Sequence, residues 1–430
     1  MKIIFITLLA LLSLKSFAQE STNYQNRQDS LLFLYKQSLT VVSTPTDEGK
    51  ENKHFYYLTG LESDSAMLVL SPKSKEKVVV FTDDADPDYP AKVMPVKRFG
   101  NYMKEEIKQY EQLNTANNFH VICSSPEVFK DIVHISNIHK RLVYMRAIKD
   151  ETEIEALRQA CRITAEGLNL AFREVEPGTT EEELIALMEE YFHEQESEGP
   201  SFYQAASGPH SVNVHFGATS RKVQEGDLIV FDIGAWYDKY TADISRTVPA
   251  GGKFTEAQRE IYKIVLKAQK KAIERMKPGV PFLEVQQIAE EKLIEGLYKL
   301  GLVTDKNSKW QRKFFIQHGF YHFIGLDIHD VWYDYRETLD DKIYQPGMVM
   351  TMEPGVYFPE EMLEERPERI RELVSEKEFK EFAGNIRDVY ARYAGMGVRI
   401  EDDVLITKEG NEVLTKDVPR EIEEIEEMMK

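Results

Sequence analysis

The chain has 430 residues, 42% of them hydrophobic and 30% charged, with a formal net charge of −19. That length makes two domains the natural expectation, and the composition is that of a globular protein. The acidic balance, with no Lys/Arg-rich tract, argues against nucleic acid as a partner and leaves small molecules or peptides.

The N-terminus reads as a targeting segment. Lys2 supplies positive charge, Ile3 to Leu14 is a short apolar run, and Ser16-Phe17-Ala18 offers small residues at a cleavage junction. The run is too short for a comfortable membrane-spanning helix. The expectation is a signal peptide over 1–18 and an exported protein, periplasmic or secreted, with no membrane attachment after cleavage; an uncleaved membrane anchor is the lesser alternative. Cys123 and Cys161 are the only cysteines, and no CxxC occurs. Both are expected to be buried small hydrophobes rather than a disulfide framework or a sulfur-based zinc site.

Residues 19–147 read as a first α/β domain. Helices are expected near 27–38 and 102–112, and the strand-like runs are HFYYLTG, AMLVLS, KVVVFT and HVICSS. His120, His134 and His139 look like surface or core histidines. A new pattern then begins: Asp150 with Glu153 makes a capping box, and Ile154, Leu157, Cys161 and Leu168 recur at helical spacing. The second domain is therefore 148–430.

This domain carries a faint internal repeat. REVEPGTTEEELIALMEEYF recurs as ERMKPGVPFLEVQQIAEEKL, matching Pro177-Gly178 with Pro278-Gly279. Each copy is followed by a strand of one design, GDLIVFDIG and GMVMTMEPG, so Asp232 and Glu353 occupy equivalent places. Two similar halves meeting across one site is the architecture this predicts.

In DLIVFDIGAWYDKYTADISRT two strand-like arms flank a polar turn. With Tyr237 and Asp238 at the tip, Asp232 would face Asp243 across the ladder, with Cβ atoms about 4.5–5.5 Å apart. Like charges that close raise a pKa unless a cation lies between them. In the second half Glu353 ends one strand and Glu401 lies in GVRIEDDVLIT, where alternation puts Arg399 and Glu401 on one face. The charged stretch 359–393 between them looks helical and solvated, an insertion at a hairpin tip. His318, His322 and His329 in HGFYHFIGLDIHD, with His215 in NVHFG, complete an inventory suited to a hard-to-borderline divalent metal pair. Two such cations about 3.5–4 Å apart can hold a bridging hydroxide that attacks a carbonyl. Each piece alone is weak. Carboxylate pairs are common among 73 Asp and Glu, and HxxxH without a neighbouring Glu is ordinarily structural.

At these residues the chain resembles the metallopeptidases of the methionine aminopeptidase/prolidase class, the pita-bread fold. FDIGAWYDKYTADISRTVPAGGKFTEAQREIY, HGFYHFIGLDIHD, TMEPGVY and GVRIEDD carry the likeness, and FYYLTGLE with GKFTEAQREIYKIVLKAQ point to the Xaa-Pro aminopeptidase (aminopeptidase P) branch. The resemblance implies an α/β (α+β) fold: a creatinase-like N-terminal domain, then a catalytic domain of pseudo-twofold halves around a curved antiparallel sheet. It implies Asp232, Asp243, His322, Glu353 and Glu401 as ligands of two divalent ions, expected to be Mn²⁺, with Zn²⁺ or Co²⁺ chemically admissible. It implies His215, His318 and His329 as active-site histidines, Glu353 as proton shuttle and Arg399 as the residue orienting Glu401. The substrate would be a peptide with proline at its second position, and the first domain would wall off the cleft. Relatives of this class are commonly dimers or tetramers, so a homo-oligomer is expected. Xaa-Pro dipeptidase is the near alternative and a metal-free peptide-binding module the remote one, since all five ligand positions are filled. Methionine aminopeptidase is disfavoured by export and by the extra domain.

Overall fold

In the computed structural model the described residues are 23–34, 39–43, 53–63, 66–83, 89–99, 101–103, 105–106, 119–122, 135–136, 139–331 and 342–430. The leader, Cys123, His134 and the later part of the helix expected at 102–112 lie outside them. The chain divides into two compact units, Met1–Arg146 and Ala147–Lys430.

In the first unit, strands β1 (Leu39–Ser43), β2 (Met67–Leu70), β3 (Val78–Phe81), β4 (Lys92–Met94), β5 (Phe119–Ile122) and β6 (Ile135–Ser136) form one mixed sheet. Their order is β4-β3-β2-β1-β5-β6. Val41, Val69, Val79 and Phe81 build its core with Phe99 and Met103. Three of the four strand-like runs are strands. The fourth, HFYYLTG, is the helix Lys53–Thr59 instead. Its residues from His54 to Thr59 are all buried, and a short, wholly buried apolar run has no period to separate strand from helix.

The second unit opens as its sequence predicts. Asp150 caps helix Glu151–Glu174 with a complete capping box, and the buried stripe includes Ile154, Leu157, Cys161 and Leu168. Strands β7 (Pro200–Ser207), β8 (Leu228–Tyr237), β9 (Tyr240–Thr241) and β10 (Ile244–Pro249) make the first half-sheet, in the order β10-β8-β7 with β9 on β8. Strands β11 (Val349–Met352), β12 (Gly355–Tyr357), β13 (Gly397–Arg399), β14 (Asp402–Ile406) and β15 (Asn411–Val413) make the second, pairing β11-β14-β15 and β12-β13. The half-sheets join edge to edge, Glu401 N–H donating to the Ser245 carbonyl at 2.9 Å.

The internal repeat is present down to individual hydrogen bonds. Gly178 N–H donates to Val223 O and Gly279 N–H to Tyr344 O, both at 2.9 Å. Thr180 bridges Lys222 as Pro281 bridges Ile343. Gly178 and Gly279 both take positive φ, 108° and 81°, the left-handed backbone open to glycine at little cost.

Two expectations need correction. In the β8–β10 hairpin Asp232 faces Ser245, not Asp243. The tip is Asp238-Lys239, both at positive φ, closing the two-residue turn that matches strand twist. Every pairing is therefore shifted by two residues from the expected register. Because side chains alternate with period two, Asp243 keeps its face and stands diagonally from Asp232.

The stretch 359–393 does connect β12 to β13, but it is not a solvated appendage. Its helix Glu376–Tyr390 buries Phe379, Phe382, Ala383, Ile386 and Tyr390. Phe382 stacks edge-on against Trp310 at 4.8 Å, and Phe379 against Phe314 at 5.7 Å. The Arg369 guanidinium donates to the Phe314 and Lys313 carbonyls at 2.5 and 3.0 Å. High charge concealed an apolar face at helical spacing.

Candidate active site

The site forms where the paired strands of each half lose their ladder. β8 presents Asp232, and Asp243 lies in the gap between β9 and β10. Met352 faces Asp402 and Gly355 faces Arg399, so the same register sets Glu353 opposite Glu401 in the gap between. Pro354 falls in that gap, where a residue without an N–H cannot continue the ladder. His322 comes from a short extended segment beside β11. Thr351 N–H donates to its carbonyl at 2.9 Å, and Thr351 Oγ1 accepts from its N–H at 3.1 Å. HGFYHFIGLDIHD is thus extended chain and loop, not helix.

His322 Nε2 lies 3.4 Å from Glu353, 3.5 Å from Asp243 and 3.9 Å from Glu401. His322 Nδ1 lies 3.0 Å from the Phe323 carbonyl, which orients Nε2 toward the carboxylates. Asp232 is held differently. Arg399 Nη2 donates to its Oδ2 at 2.5 Å, and the Ser245 hydroxyl lies 2.5 Å from its Oδ1. The same hydroxyl lies 2.8 Å from Glu401 and accepts from Arg399 Nε at 2.6 Å. Arg399 therefore grips Asp232 directly and reaches Glu401 only through Ser245, a correction to the expected pairing.

Burial and mutual repulsion dominate the electrostatics. Asp243 and Glu401 are held well above the usual carboxylate range, by burial first and then by neighbouring carboxylates. Burial lifts Glu353 to about 7, against the pull of His322. His318 is pushed down to about 4 by burial and by Arg399, and His329 to about 4 by burial and by His322. Both imidazoles are therefore neutral at neutral pH. His318 is fixed at both nitrogens, Nδ1 2.7 Å from the Gly319 carbonyl and Nε2 3.0 Å from the Tyr357 hydroxyl. The carbonyl can only accept, so Nδ1 carries the proton and Tyr357 donates to Nε2. Tyr357 in turn accepts from Arg399 Nη1 at 2.8 Å.

His215, His318, His322, His329 and Glu353 line one cavity with Val214 and Tyr321. Asp243 and Glu401 join this group through His322, and Arg399 brings Asp232 to it through Tyr357 and His318. The donor set fits divalent metal. One ligand atom each from Asp243, His322 and Glu401 lies within 4.8 Å of the others. Asp243 Oδ1 is buried and, among the described residues, has no hydrogen-bond partner. A buried carboxylate oxygen without a donor is costly unless a cation completes it.

Comparison with known proteins agrees. Residues 155–408 match metallopeptidase family M24. The chain belongs to this family. It is 32% identical to the Xaa-Pro aminopeptidase of Haemophilus influenzae over 88% of each chain. It is 33% identical to the human Xaa-Pro dipeptidase over 68% of this chain and 62% of that protein. Among solved structures, a zinc-substituted Escherichia coli aminopeptidase P in complex with product superposes with a TM-score of 0.77 at 26% identity, covering 95% of this chain and 98% of that one. The fold is the mixed α/β pita-bread architecture of the aminopeptidase P structures, and the protein is a metal-dependent peptidase.

In this M24 peptidase three site residues escape sequence reasoning. Ser245 ties Asp232, Glu401 and Arg399 together, Tyr357 links Arg399 to His318, and the Val214 carbonyl accepts from Arg399 Nη1 at 2.8 Å. Ser245 and Tyr357 stand inside the quoted motifs, yet serine and tyrosine carry no ligand signature. Only the pairing of Ser245 with Asp232 marks its place.

Proposed function

We propose that this chain is an exported aminopeptidase that hydrolyses the N-terminal Xaa-Pro bond of peptides with a pair of divalent metal ions. The observation that carries the reading is the buried Asp243–His322–Glu401 cluster, its Asp243 oxygen unpartnered, opening on a cavity lined by histidines. Asp232, Asp243, His322, Glu353 and Glu401 would hold the ions, Mn²⁺ being the expected metal. When bound, such ions supply Lewis acidity, lowering the pKa of water and polarising a carbonyl oxygen.

The remaining work falls to the chain itself. Glu353 borders the cavity and would carry a proton from water to the leaving prolyl nitrogen. Like any amide nitrogen it can depart as a neutral amine only if a proton is delivered to it, and as the nitrogen of a tertiary amide it offers the site no N–H to grip. His215 lines the cavity and, among the described residues, makes no hydrogen bond with its side chain, which leaves it to hold the peptide or its developing oxyanion. The Arg399–Tyr357–His318 chain fixes His318 as a neutral wall of the cavity. His329, set edge-on to His322 at 4.4 Å, is neutral likewise and supplies uncharged polarity.

The test is hydrolysis of Xaa-Pro-Xaa tripeptides and Xaa-Pro dipeptides by purified protein, chelated and then reloaded with Mn²⁺, Zn²⁺ or Co²⁺. Metal-dependent cleavage of the tripeptide at the Xaa-Pro bond is expected. Activity confined to dipeptides would move the assignment to Xaa-Pro dipeptidase. Inactivity with every metal would leave a peptide-binding module.

A further inference from the structure

We propose that Glu181 is a positioning residue: its carboxylate clasps both ends of the 207–219 loop and so sets where His215 and the Val214 carbonyl stand in the active site. The inference rests on the peptidase reading above. Glu181 is the first residue of helix Glu181–Glu194 and is wholly buried. Its Oε1 accepts from Ser207 N–H at 2.7 Å, Ser207 Oγ at 2.6 Å and His210 Nδ1 at 2.9 Å. Its Oε2 accepts from Thr219 N–H at 3.1 Å and Thr219 Oγ1 at 2.7 Å. Ser207 closes β7 and Thr219 ends the loop, so one carboxylate gathers the two ends.

Between those ends lie the two groups the site uses. The Val214 carbonyl receives Arg399 Nη1, the guanidinium that grips Asp232. His215 next to it faces the cavity and, among the described residues, makes no side-chain hydrogen bond, so its loop must hold it. Other ties hold the loop as well: Phe216 N–H donates to Gln204 Oε1 at 2.9 Å, Gly397 N–H to Ser211 Oγ at 3.0 Å and Glu182 N–H to the Thr219 carbonyl at 3.1 Å, but none of them joins the two ends to each other. The loop cannot easily re-form elsewhere. Gly208 takes φ +52°, and a Cβ there would stand 2.4 Å from Asp227 Oδ1.

The internal repeat supports the reading from another direction. Because Thr180 bridges Lys222 as Pro281 bridges Ile343, Glu181 is the counterpart of Phe282. Phe282 packs against Tyr321 at 5.9 Å and Phe323 at 6.0 Å, the residues on either side of His322. The first helical residue after each Pro-Gly thus anchors a histidine-bearing segment in both halves, by packing in one and by a carboxylate in the other.

Glu181→Gln tests the clasp by setting an amide N–H₂ against donors. Hydrogen exchange at the Ser207 and Thr219 amides should accelerate about tenfold or more, with helix Glu181–Glu194 and β8 unchanged. In Xaa-Pro cleavage kcat should fall on the order of 10- to 100-fold, the scale of a misplaced group. A double-mutant cycle separates positioning from bulk damage. In a His215→Ala background the same change should cost clearly less than in the wild type, the remainder passing through the Val214 carbonyl, whereas independent effects would multiply in full. Unchanged exchange at 207–219, or fully multiplicative factors in the cycle, would overturn the proposal. Thr219→Val removes a single donor and serves if Glu181→Gln does not fold. A wild-type protein inactive on Xaa-Pro peptides would sink the peptidase reading, while the exchange measurement still decides the clasp.

Discussion

Asp402 follows Glu401 in the chain and carries a different burden, with a sharp consequence for stability. Four donors converge on its carboxylate: Arg246 Nη2 at 2.6 Å and Thr415 Oγ1 at 2.7 Å on Oδ1, Arg420 Nη1 at 2.6 Å and Gln269 Nε2 at 2.8 Å on Oδ2. Arg246 and Asp402 are both fully buried, whereas Arg420 is 26% exposed. Burial disfavours the carboxylate charge, but Arg246 and Arg420 hold it below its ordinary range. Asp402→Asn keeps the shape and removes the charge. One amide oxygen can still serve two donors, and the new N–H₂ confronts the other two. The larger loss is at Arg246, left charged and buried with only the Ser245, Glu401, Val418 and Pro419 carbonyls around it and no counter-charge on Asp402, a change that typically costs about 3–5 kcal/mol. Arg420 can turn to water and should add little. Adding every hydrogen bond separately would overcount, since all four share one carboxylate. At roughly 2 °C per kcal/mol for a unit of this size, the melting transition should fall by about 6–10 °C. Differential scanning calorimetry of the metal-free protein reads this without interference from metal binding. A fall below about 2 °C would mean that Arg246 is compensated elsewhere, and the reasoning would fail.

Metal should stabilise the wild type by linkage, about 2.7 kcal/mol at one hundred times its dissociation constant. Asp243→Ala should abolish that gain and the peptidase activity together, and a thermal-shift titration with Mn²⁺ checks it. A full metal-dependent shift in the variant would remove Asp243 from the ligand set. Phe382→Ala, at a site 4% exposed, should destabilise by about 3 kcal/mol in urea unfolding, the usual scale for a truncated core phenylalanine. An unfolding curve like that of the wild type would return the 359–393 stretch to the status of an appendage. Glu181 has a depressed pKa in the fold, since the hydrogen bonds from Ser207, Thr219 and His210 outweigh its burial. Its contribution is therefore full above the unfolded pKa and lost as pH falls through the folded one. The stability gap between wild type and Glu181→Gln should stay constant above about pH 5 and close as pH drops below about 4. A gap that widened in acid would contradict the clasp.

The candidate carboxylates and histidines and the two-half architecture were legible in the sequence because metal chemistry restricts residue type and the repeat restricts place. The choice of five ligands among them came from the family resemblance. What stayed hidden was held by common residues. Glu181, Ser245 and Tyr357 are defined by their partners, and those partners lie far along the chain, Glu401 being 156 residues beyond Ser245. No local pattern announces such a contact. The helix Lys53–Thr59 was hidden for another reason, its residues being buried on every side. The Trp310–Phe382 contact escaped because the apolar stripe of helix Glu376–Tyr390 is set among charges that dominate its average composition.

The β8–β10 hairpin shows why an error of register left the site intact. The turn was placed one residue early, which moves every cross-strand pair by two. An even shift preserves parity, so both aspartates stay on one face; an odd shift would have sent one of them into the helix-packed core. The shift also explains Ser245. In the true register the residue facing Asp232 is a serine, whose hydroxyl lies between Asp232 and Glu401. Asp243 moves two residues along, opposite Gly234, where a Cβ would stand 1.8 Å from the Ala242 carbonyl. Gly234 lets the strands close up at that point, and Asp243 is left free of the ladder to turn toward His322. Its backbone N–H is taken by Asp403 at 3.0 Å instead. The glycine in FDIGAW therefore belongs to the site as much as the aspartate before it. Any side chain there would press on the Ala242–Asp243 backbone, displace Asp243 and weaken metal binding before it weakened the fold.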